Sequence, residues 1–410
     1  MENNNRMTRA NVFSILLIPI VWFFCNAAVA PTLGAMGQHF PEASDFQIKL
    51  IYTITGVTSV MFSVISGKLA KHFDKKNLIM LGLFIYGAAG ISTSFGTNVN
   101  QLLILRLITG VGAGLVLPLP GAIVAENFVG EKRARLLGLC TATANIANVV
   151  TSIVVGIILT FGWQYPFYTF GISFVLMLTT LVGVPKSPPI QENEIKTNTE
   201  KESEMTKEKL SSNVYLLALF MTLAFMTHVV LISNLSMFWV REKIGPTGIM
   251  GLVLSLSALA SIVSGSIYPE LVRLFRKYLT FAALVLFGIS FILIYNAHSM
   301  TGVIIGNLLE GLGFGALVPL IFDTTAKKVK SNQKDFAFGV VSSCMHLGGA
   351  LSPFAQLLYS TIGSNSSMRF LFLVCAIELF IAAVIALLVA NKTKKYVNIE
   401  QLEMESDHNV

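Results

Sequence analysis

The chain is 410 residues long, of which 54% are hydrophobic and only 12% charged, with a mean hydropathy of +0.69. Soluble domains carry about a quarter charged residues, so this composition excludes an ordinary soluble enzyme. The formal net charge is +7, and its meaning depends on where the basic residues lie along the chain.

Apolar runs of about 20 residues recur from end to end, and each can cross a hydrocarbon core of about 30 Å as a helix. We therefore predict an all-α membrane protein of twelve transmembrane helices. The first run is too long for a cleaved signal peptide and contains Pro19 and Pro31, so we interpret it as span 1. The predicted spans are 12–35, 47–67, 77–95, 99–124, 135–160, 165–184, 213–237, 245–267, 279–297, 301–324, 336–360 and 367–390.

Most of the 29 lysines and arginines fall in segments that the alternation of spans places on one side. The segments and span ends on the other side hold Lys49, Arg241, Lys243 and Arg369, and Arg106 alone lies deep inside a span. Because cytoplasmic loops carry an excess of Lys and Arg, we expect both termini to be cytoplasmic in a multi-pass protein of the cell (plasma) membrane. The basicity is a topology signal, and nucleic acid is not an expected partner.

A long polar stretch runs from Pro185 to Ser212, with mixed charge and clustered prolines. Its composition predicts a flexible cytoplasmic linker. The predicted domains are an N-terminal six-helix bundle, the linker, a C-terminal six-helix bundle and a cytoplasmic tail, at 1–184, 185–212, 213–390 and 391–410.

The four cysteines lie inside predicted spans, without an extramembrane Cys-x-x-Cys, so neither a disulfide framework nor a zinc site is indicated. No metal or other cofactor is expected. The chain has no G-x-x-x-x-G-K-[ST] nucleotide motif, so an ion gradient is the expected energy source.

The two halves resemble each other at an offset of 201 residues. Glycine is common in membrane helices, but consecutive matches at one register favour an internal duplication. Two pseudo-symmetric six-helix bundles are therefore predicted, with the substrate site between them near mid-membrane. The matching pairs are Gly110 with Gly311, Gly112 with Gly313, Gly114 with Gly315, Pro118 with Pro319, Gly138 with Gly339, and Asn145 with His346.

Two motifs carry a family resemblance. The loop between spans 2 and 3 reads GKLAKHFDKKN and resembles the major facilitator superfamily loop G-x-L-a-D-r-x-G-r-[RK]. Span 4 supplies RLITGVGAG, which is similar to the family's R-x-x-x-G-x-G-x-G. Lys71 stands where the family has an acid, and Asp74 where it has glycine. The resemblance covers nearly the whole chain and implies the family's fold, transport by rocking of the two bundles, and a monomer.

Within that superfamily the pattern looks most like the twelve-helix drug and metabolite proton antiporters. This resemblance implies proton-coupled efflux of drug-like or amphipathic metabolites by alternating access. Span 5 departs from it, because those exporters carry G-P-x-x-G-G and this chain has TATANIANVVTSIVVG. An importer of a small organic solute or anion stays an alternative. An integral membrane enzyme or sensor would need a catalytic constellation or a soluble signalling domain, and the sequence shows neither.

Two residues are predicted to couple transport to protons. Placing Arg106 within span 4 costs about 2.5–3.5 kcal/mol, so its guanidinium should face a cavity or a partner. The motif favours a coupling arginine that acts on a carboxylate, and the alternative is an arginine bonded to carbonyls. Glu310 in span 10 is the predicted proton site, with a packing acid bonded to a hydroxyl as its alternative. Glu378 in span 12 is predicted to be structural or lipid-facing.

Polar residues spaced four, three and four apart on span 5 share one helical face. Such a stripe predicts a water-filled cavity or a helix contact. His346 of span 11, Asn26 of span 1 and His228 of span 7 are further deep polar residues that could contact substrate, with helix packing as their alternative. The stripe consists of Thr141, Asn145, Asn148 and Ser152.

The loop motif also predicts a cytoplasmic latch, here called the gating loop. Gly67 is expected to let spans 2 and 11 approach closely. Lys75 and Lys76 are expected to pair with Glu126 at the end of span 4, and Asp74 to serve for the missing acid. The alternative is that these bases only determine topology.

Overall fold

The computed structural model describes residues 7–186, 210–330, 333–365 and 367–407. The structure is 86% helical, and the described residues contain no β-strand. The predicted all-α class is therefore confirmed. Most of the predicted linker lies outside the described residues, so its flexibility stays a prediction.

The first half of the sequence contains both short and long helices. Pro19 and Pro31 divide the first predicted span, since a proline ring removes a backbone donor and clashes with the preceding turn. The helices described are α1 (Arg9–Leu17), α2 (Ile20–Val29), α3 (Leu33–His39), α4 (Asp45–Leu69), α5 (Lys75–Ser92), α6 (Val99–Val116), α7 (Leu119–Asn127), α8 (Gly130–Leu159) and α9 (Ile172–Gly183).

The helices of the second half are longer. Pro319 and Pro353 lie inside continuous helices there, in contrast to Pro19. The helices described are α10 (Ser212–Arg241), α11 (Met250–Ser266), α12 (Tyr268–Phe275), α13 (Leu279–Tyr295), α14 (Met300–Lys327), α15 (Lys334–Ile362) and α16 (Met368–Asp407).

Among the described residues, 10 helical segments are long and apolar enough to cross a membrane. The predicted total of twelve is supported only in part. Span 12–35 is divided into shorter helices. Helix α15 is long enough, but Ser342, His346, Ser352 and Gln356 lower its hydropathy. The ten segments establish a multi-pass membrane protein.

Side-chain caps determine where several helices begin. Ser44 caps α4 and forms a reciprocal capping box with Gln47. Asp74 caps α5, and Asn98 caps α6. Each cap accepts a hydrogen bond from a backbone N–H that lacks a partner in the first helical turn. These starts are therefore encoded by residues close in sequence.

The repeated glycines pack α6 and α14 against equivalent neighbours. A Cβ on Gly112 would lie 2.5 Å from the backbone N of Tyr86 on α5. A Cβ on Gly313 would lie 2.9 Å from the backbone N of Phe287 on α13. Tyr86 and Phe287 are themselves separated by the repeat offset, so the two contacts correspond.

The same correspondence holds on the opposite side of α6 and α14. A Cβ on Gly114 would lie 2.5 Å from the carbonyl O of Ser59 on α4, and one on Gly315 at 2.5 Å from that of Ser261 on α11. Small residues let membrane helices approach closely, because only a hydrogen atom separates the backbones. The duplication is thus visible as one three-helix packing that occurs in both halves.

Close contacts divide the chain into two compact units. One unit contains residues 1–255 with 325–358, and the other contains 256–324 with 359–410. The first unit therefore includes α10 and most of α15 with the helices of the first half. The predicted division into two six-helix bundles rests on sequence and stays a prediction.

Candidate functional site

Arg106 lies on α6 with a fully buried side chain. Its Nε donates a hydrogen bond to the carbonyl O of Ile51 on α4 at 3.2 Å. Its guanidinium carbon lies 5.5 Å from the ring centroid of Phe170. Carbonyl and aromatic contacts of this kind stabilise a cation at membrane depth. These contacts match the structural alternative for Arg106, and its coupling role stays a prediction.

Glu310 is fully buried on α14, immediately before the glycine run. Its Oε2 accepts a hydrogen bond from Ser257 Oγ of α11 at 2.5 Å. The backbones are close at this point, since a Cβ on Gly311 would collide with the carbonyl O of Ser257. The site therefore offers a hydroxyl to a carboxyl that is shielded from solvent. That arrangement fits both a proton site and a packing acid.

Thr55 of α4 occupies the place that Ser257 has in α11. The Thr55 hydroxyl donates to the backbone carbonyl of Arg106 at 3.3 Å. The Ser257 hydroxyl donates instead to the side chain of Glu310. At the same packing motif, one half thus places a buried cation and the other a buried carboxyl.

The second intramembrane glutamate has a different setting. Glu378 of α16 is half-buried, and its carboxylate accepts a hydrogen bond from the Tyr359 hydroxyl. Its predicted structural role is untested. It differs from Glu310 in exposure and in the kind of hydroxyl that it contacts.

The polar stripe of α8 ends in a helix contact. Ser152 is buried, and a Cβ on Gly251 of α11 would collide with the Ser152 carbonyl. Asn145 and Asn148 are half-buried. The side chain of Thr141 lies outside the described part of the chain. Cavity lining by Thr141, Asn145 and Asn148 stays a prediction.

Asn26, His228 and His346 are all half-buried. The His228 ring lies 5.5 Å from the ring of Phe225 on α10. Helices α10 and α15 are in close contact near His346, because a Cβ on Gly348 would collide with an α10 carbonyl. The structure thus carries both histidines on helices that touch, and their substrate role stays a prediction.

The gating loop contains one of the two expected pairs. Lys75 Nζ lies 2.8 Å from Glu126 Oε1 at the end of α7, so this ion pair forms as the sequence predicts. Lys76 was expected to join it, but its Nζ donates to the Leu181 carbonyl at 2.6 Å. Asp74 caps α5 by accepting from the Lys76 backbone N–H at 2.9 Å. The gating role of these residues stays a prediction.

Gly67 is exposed, and a Cβ there would meet no described atom within 4 Å. The expected close approach of spans 2 and 11 at Gly67 is therefore not seen between the described residues in this conformation. The Glu126 side chain is 41% exposed. An ion pair with that much solvent contributes only about 0–1 kcal/mol.

A buried polar network joins α10 and α15 and was not predicted. Asn234 Nδ2 donates to Gln356 Oε1 at 2.7 Å. Gln356 Nε2 donates to Ser352 Oγ at 3.1 Å and to Ser233 Oγ at 3.3 Å. The available signal was the spacing of four between Ser352 and Gln356, which puts both on one helical face. Such networks hold membrane helices together.

Helices of the two sequence halves meet at the end that the charge distribution predicts to be outer. Gly34 N donates to Ser236 Oγ at 3.0 Å, and the Ser236 hydroxyl donates to the Pro31 carbonyl at 2.7 Å. Arg241 binds both carboxylate oxygens of Asp45, at 2.7 and 2.5 Å. These contacts hold α10 against α3 and α4.

Two further contacts lie at the same end. A Cβ on Gly156 of α8 would lie 2.9 Å from the backbone N of Gly251 on α11. The ring centroids of Phe46 on α4 and Phe354 on α15 are 5.4 Å apart. We call these two contacts, together with those of Ser236 and Arg241, the outer seam. All of them lie within the first compact unit.

An apolar cavity of about 270 Å³ lies within the first half. Asn26, Asn145 and Asn148 are not among its described lining residues. Its lining comes from the α1–α2 break, from α6 and α7 with their junction, and from α8. The residues are Ile18, Pro19, Val21, Ala113, Val116, Leu117, Pro120, Gly121, Leu137, Cys140 and Ala144.

Membrane-length helices, a duplicated packing motif and fully buried charged side chains define a polytopic α-helical membrane protein. The profile of the Major Facilitator Superfamily matches residues 13–353 and, in a second match, 223–404. The chain belongs to the major facilitator superfamily. This family and its fold are those of transporters, so the protein is a transporter and not an enzyme.

Several relatives come from Bacillus subtilis (strain 168). The bacillibactin exporter is 22% identical, over 85% of this chain and 90% of that protein. Multidrug resistance protein 2 is 22% identical, over 83% of this chain and 87% of that protein. Multidrug resistance protein 1 is 22% identical, over 72% of this chain and 76% of that protein.

Solved structures share the fold. A bacterial homologue of the human lysosomal transporter Spinster, in an inward-facing and occupied conformation, has a TM-score of 0.77 at 12% identity, covering 93% of this chain and 96% of that one. The D-xylose-proton symporter has a TM-score of 0.70 at 14% identity, covering 92% of this chain and 96% of that one. At these identities the likeness establishes the fold alone.

Proposed function

We propose that the protein exports drug-like or amphipathic metabolites in exchange for protons, by alternating access. Relatives named as a bacillibactin exporter and as multidrug resistance proteins support the direction and the substrate class. A proton symporter with the same fold supports the coupling ion. In this proposal the protein acts as a monomer, as the family resemblance implies. It lies in the plasma membrane with both termini cytoplasmic, an orientation that the distribution of basic residues supports.

The buried carboxyl of Glu310 carries the proposal of proton coupling. Acidic side chains buried at membrane depth are costly and mark proton pathways in membrane carriers, and Glu310 is fully buried. The Ser257 hydroxyl suits both states, because it donates to a carboxylate and accepts from a protonated carboxyl. We therefore propose that the Glu310 carboxyl gains or loses a proton when water gains access to it.

Arg106 is the proposed coupling cation of the first half. Its hydrogen bond to Ile51 holds the guanidinium against α4, where it contributes a fixed positive potential to the helices around it. Half-buried polar side chains are proposed to contact the polar part of the substrate. They are Asn26, Asn145, Asn148, His228 and His346, together with Thr141 on the same stripe.

The outer seam supports a state that is closed on the outer side. Arg241 and Asp45 hold α10 to α4 there, and Gly156 lets α8 contact α11. The gating loop is proposed to close the inner side in the opposite state. Gly67, with open space around it here, would then be covered by a helix.

Import of a small organic solute or anion is the alternative. Arg106 and His346 are the groups that would bind negative charge. A partial relative, the niacin transporter NiaP of Acinetobacter baylyi (strain ATCC 33305 / BD413 / ADP1), is 29% identical over 34% of this chain and 32% of that protein. The carbonyl contact of Arg106 makes anion binding the weaker proposal, because the guanidinium is already engaged.

Inverted membrane vesicles with an acidic interior test the coupling. Ethidium serves as the drug-like probe, and labelled niacin as the organic anion. We expect ethidium to accumulate in vesicles that contain the wild type, and Glu310→Gln to lower the gradient-driven rate at least tenfold, since the amide cannot exchange a proton.

Glu378→Gln is the matched control, because it also neutralises an intramembrane glutamate bonded to a hydroxyl. We expect it to keep most of the rate. Ethidium flux that is independent of the pH gradient and unchanged in Glu310→Gln would contradict proton coupling. Niacin uptake into right-side-out vesicles with acid outside, without ethidium export, would favour the importer.

A further inference from the structure

Two helix breaks border the apolar cavity of the first half. Helix α1 gives way to α2 at Pro19, and α6 gives way to α7 at Pro118. Pro19 and Pro120 both line the cavity. A proline removes the N–H that would bond the preceding turn, and its ring pushes that turn aside. Both interruptions of the helical hydrogen bonding therefore lie beside the cavity.

The second half has no such pair of breaks in its described helices. Helix α14 continues through Pro319, and Ile321 stands one repeat offset after Pro120. Helix α10, the counterpart of α1 to α3, is continuous. Among the described helices, the pair of proline interruptions beside the cavity therefore occurs in the first half and not at the equivalent positions of the second.

The lining determines what this space can hold. Apart from the thiol of Cys140, the lining side chains of this partly open cavity are apolar or absent, so its polar contacts come mainly from backbone atoms. A dry cavity of about 150 Å³ lined by aliphatic and aromatic residues binds benzene. A volume of about 270 Å³ is larger than that, and suits two fused aromatic rings.

We propose that this cavity is a binding subsite for an uncharged aromatic group of about the size of naphthalene. A charged group is excluded because no lining residue offers it a partner, and an unpaired charge is costly to desolvate. The assignment to the transported molecule rests on the proposed export function. Binding of the aromatic group itself does not depend on it.

Gly121 offers a way to fill the cavity. It lines the space, and a Cβ there would meet no described atom within 4 Å. A leucine side chain at this position would occupy the cavity without a backbone collision. Gly138 of α8 is the matched control, because its Cβ also meets open space while the residue does not line the cavity.

The experiment uses the full chain in lipid nanodiscs and follows alkylation of Cys140 by N-ethylmaleimide, measured by mass spectrometry. The probes are 2-naphthol and, as its charged analogue, 2-naphthalenesulfonate. We expect 2-naphthol to slow alkylation of Cys140 at least fivefold and to leave alkylation of Cys344 unchanged. We expect the sulfonate to change alkylation of neither cysteine. Protection should vanish in Gly121→Leu and persist in Gly138→Leu.

A titration of 2-naphthol fluorescence gives a second measurement that does not depend on thiol reactivity. We expect at least fivefold weaker binding to Gly121→Leu than to Gly138→Leu. Equal binding to the two variants, or equal protection of Cys140 by the sulfonate, would overturn the subsite. Proton-driven ethidium flux of the wild type separates the two proposals, since naphthol binding without such flux would contradict only the export function.

Discussion

The helices α4, α5 and α6 of the first half and α11, α13 and α14 of the second half use one packing scheme with different polar content. Gly112 and Gly313 bring equivalent backbones together. At equivalent positions the Thr55 hydroxyl bonds a carbonyl, and the Ser257 hydroxyl bonds a carboxyl. The shared glycine spacing thus maintains the helix packing in both halves. The residues that differ between the halves determine which charged group is buried there.

The halves differ again in continuity. Proline breaks divide the first-half helices at Pro19 and Pro118, whereas Pro319 lies inside a continuous α14. Proline is tolerated in membrane helices when neighbours satisfy the freed backbone groups. A single proline therefore does not predict a break, and the local surroundings decide between a break and a continuous helix.

The largest effect is expected where the shared packing is tightest. Gly112→Ala would place a Cβ 2.5 Å from a backbone nitrogen, and Gly313→Ala would place one at 2.9 Å. Overpacking typically costs about 1–3 kcal/mol, and a backbone neighbour cannot move aside. We expect both variants to lower the apparent melting temperature in detergent, Gly112→Ala more than Gly313→Ala.

Gly138→Ala is the control for this pair, because its Cβ meets open space. It should leave the melting temperature unchanged or raise it slightly, since alanine favours the helix. If Gly112→Ala melted like Gly138→Ala, the tight packing at the repeat would be wrong.

An intermediate effect should separate the two hydroxyls. Ser257→Ala removes a hydrogen bond to a buried carboxyl, which is worth about 1–3 kcal/mol when the group is left without that bond. Thr55→Val removes a bond to a backbone carbonyl, with a typical net value of about 1 kcal/mol. Melting curves should show the larger loss for Ser257→Ala. Equal losses would indicate that the carboxyl of Glu310 is stabilised by other contacts.

The smallest effect concerns the N-terminal ends of the compared helices. Helix α4 begins at Asp45, which pairs with Arg241, and the corresponding stretch before α11 has Thr247. The two charged side chains are 32% and 52% exposed. Exposed pairs contribute about 0.2–1 kcal/mol and are screened by salt. Asp45→Asn should therefore lower the melting temperature slightly in dilute buffer and hardly at all in 1 M salt.

Features that depend on nearby residues could be predicted from the sequence. The glycine register, the pair of Lys75 with Glu126 and the burial of Glu310 follow from spacing, loop charge and hydropathy. The contact of Lys76 could not be predicted, because it depends on where α9 ends and exposes the Leu181 carbonyl. The outer seam also joins residues that are distant in sequence, and no local pattern marks them.

Likewise, Asn234 and Gln356 are separated by 122 residues, so the spacing of Ser352 and Gln356 could indicate a polar face but not the partner on α10. The apolar cavity was missed for a related reason. Its lining residues are of the same types as ordinary core residues. What distinguishes them is their position beside two helix breaks. Shape that arises from backbone breaks is a tertiary property.

Ser236 has a consequence for how α3 and α10 could part. Its hydroxyl accepts from the Gly34 N–H and donates to the Pro31 carbonyl, so one side chain satisfies two backbone groups of another helix. Any separation there exposes both groups at once, and lipid tails cannot replace the lost bonds. Only water can, at a net exchange of about 0.5–1.5 kcal/mol for each bond. Separation of these helices therefore requires water to enter at Ser236. If water is kept from Ser236, the two helices stay in contact.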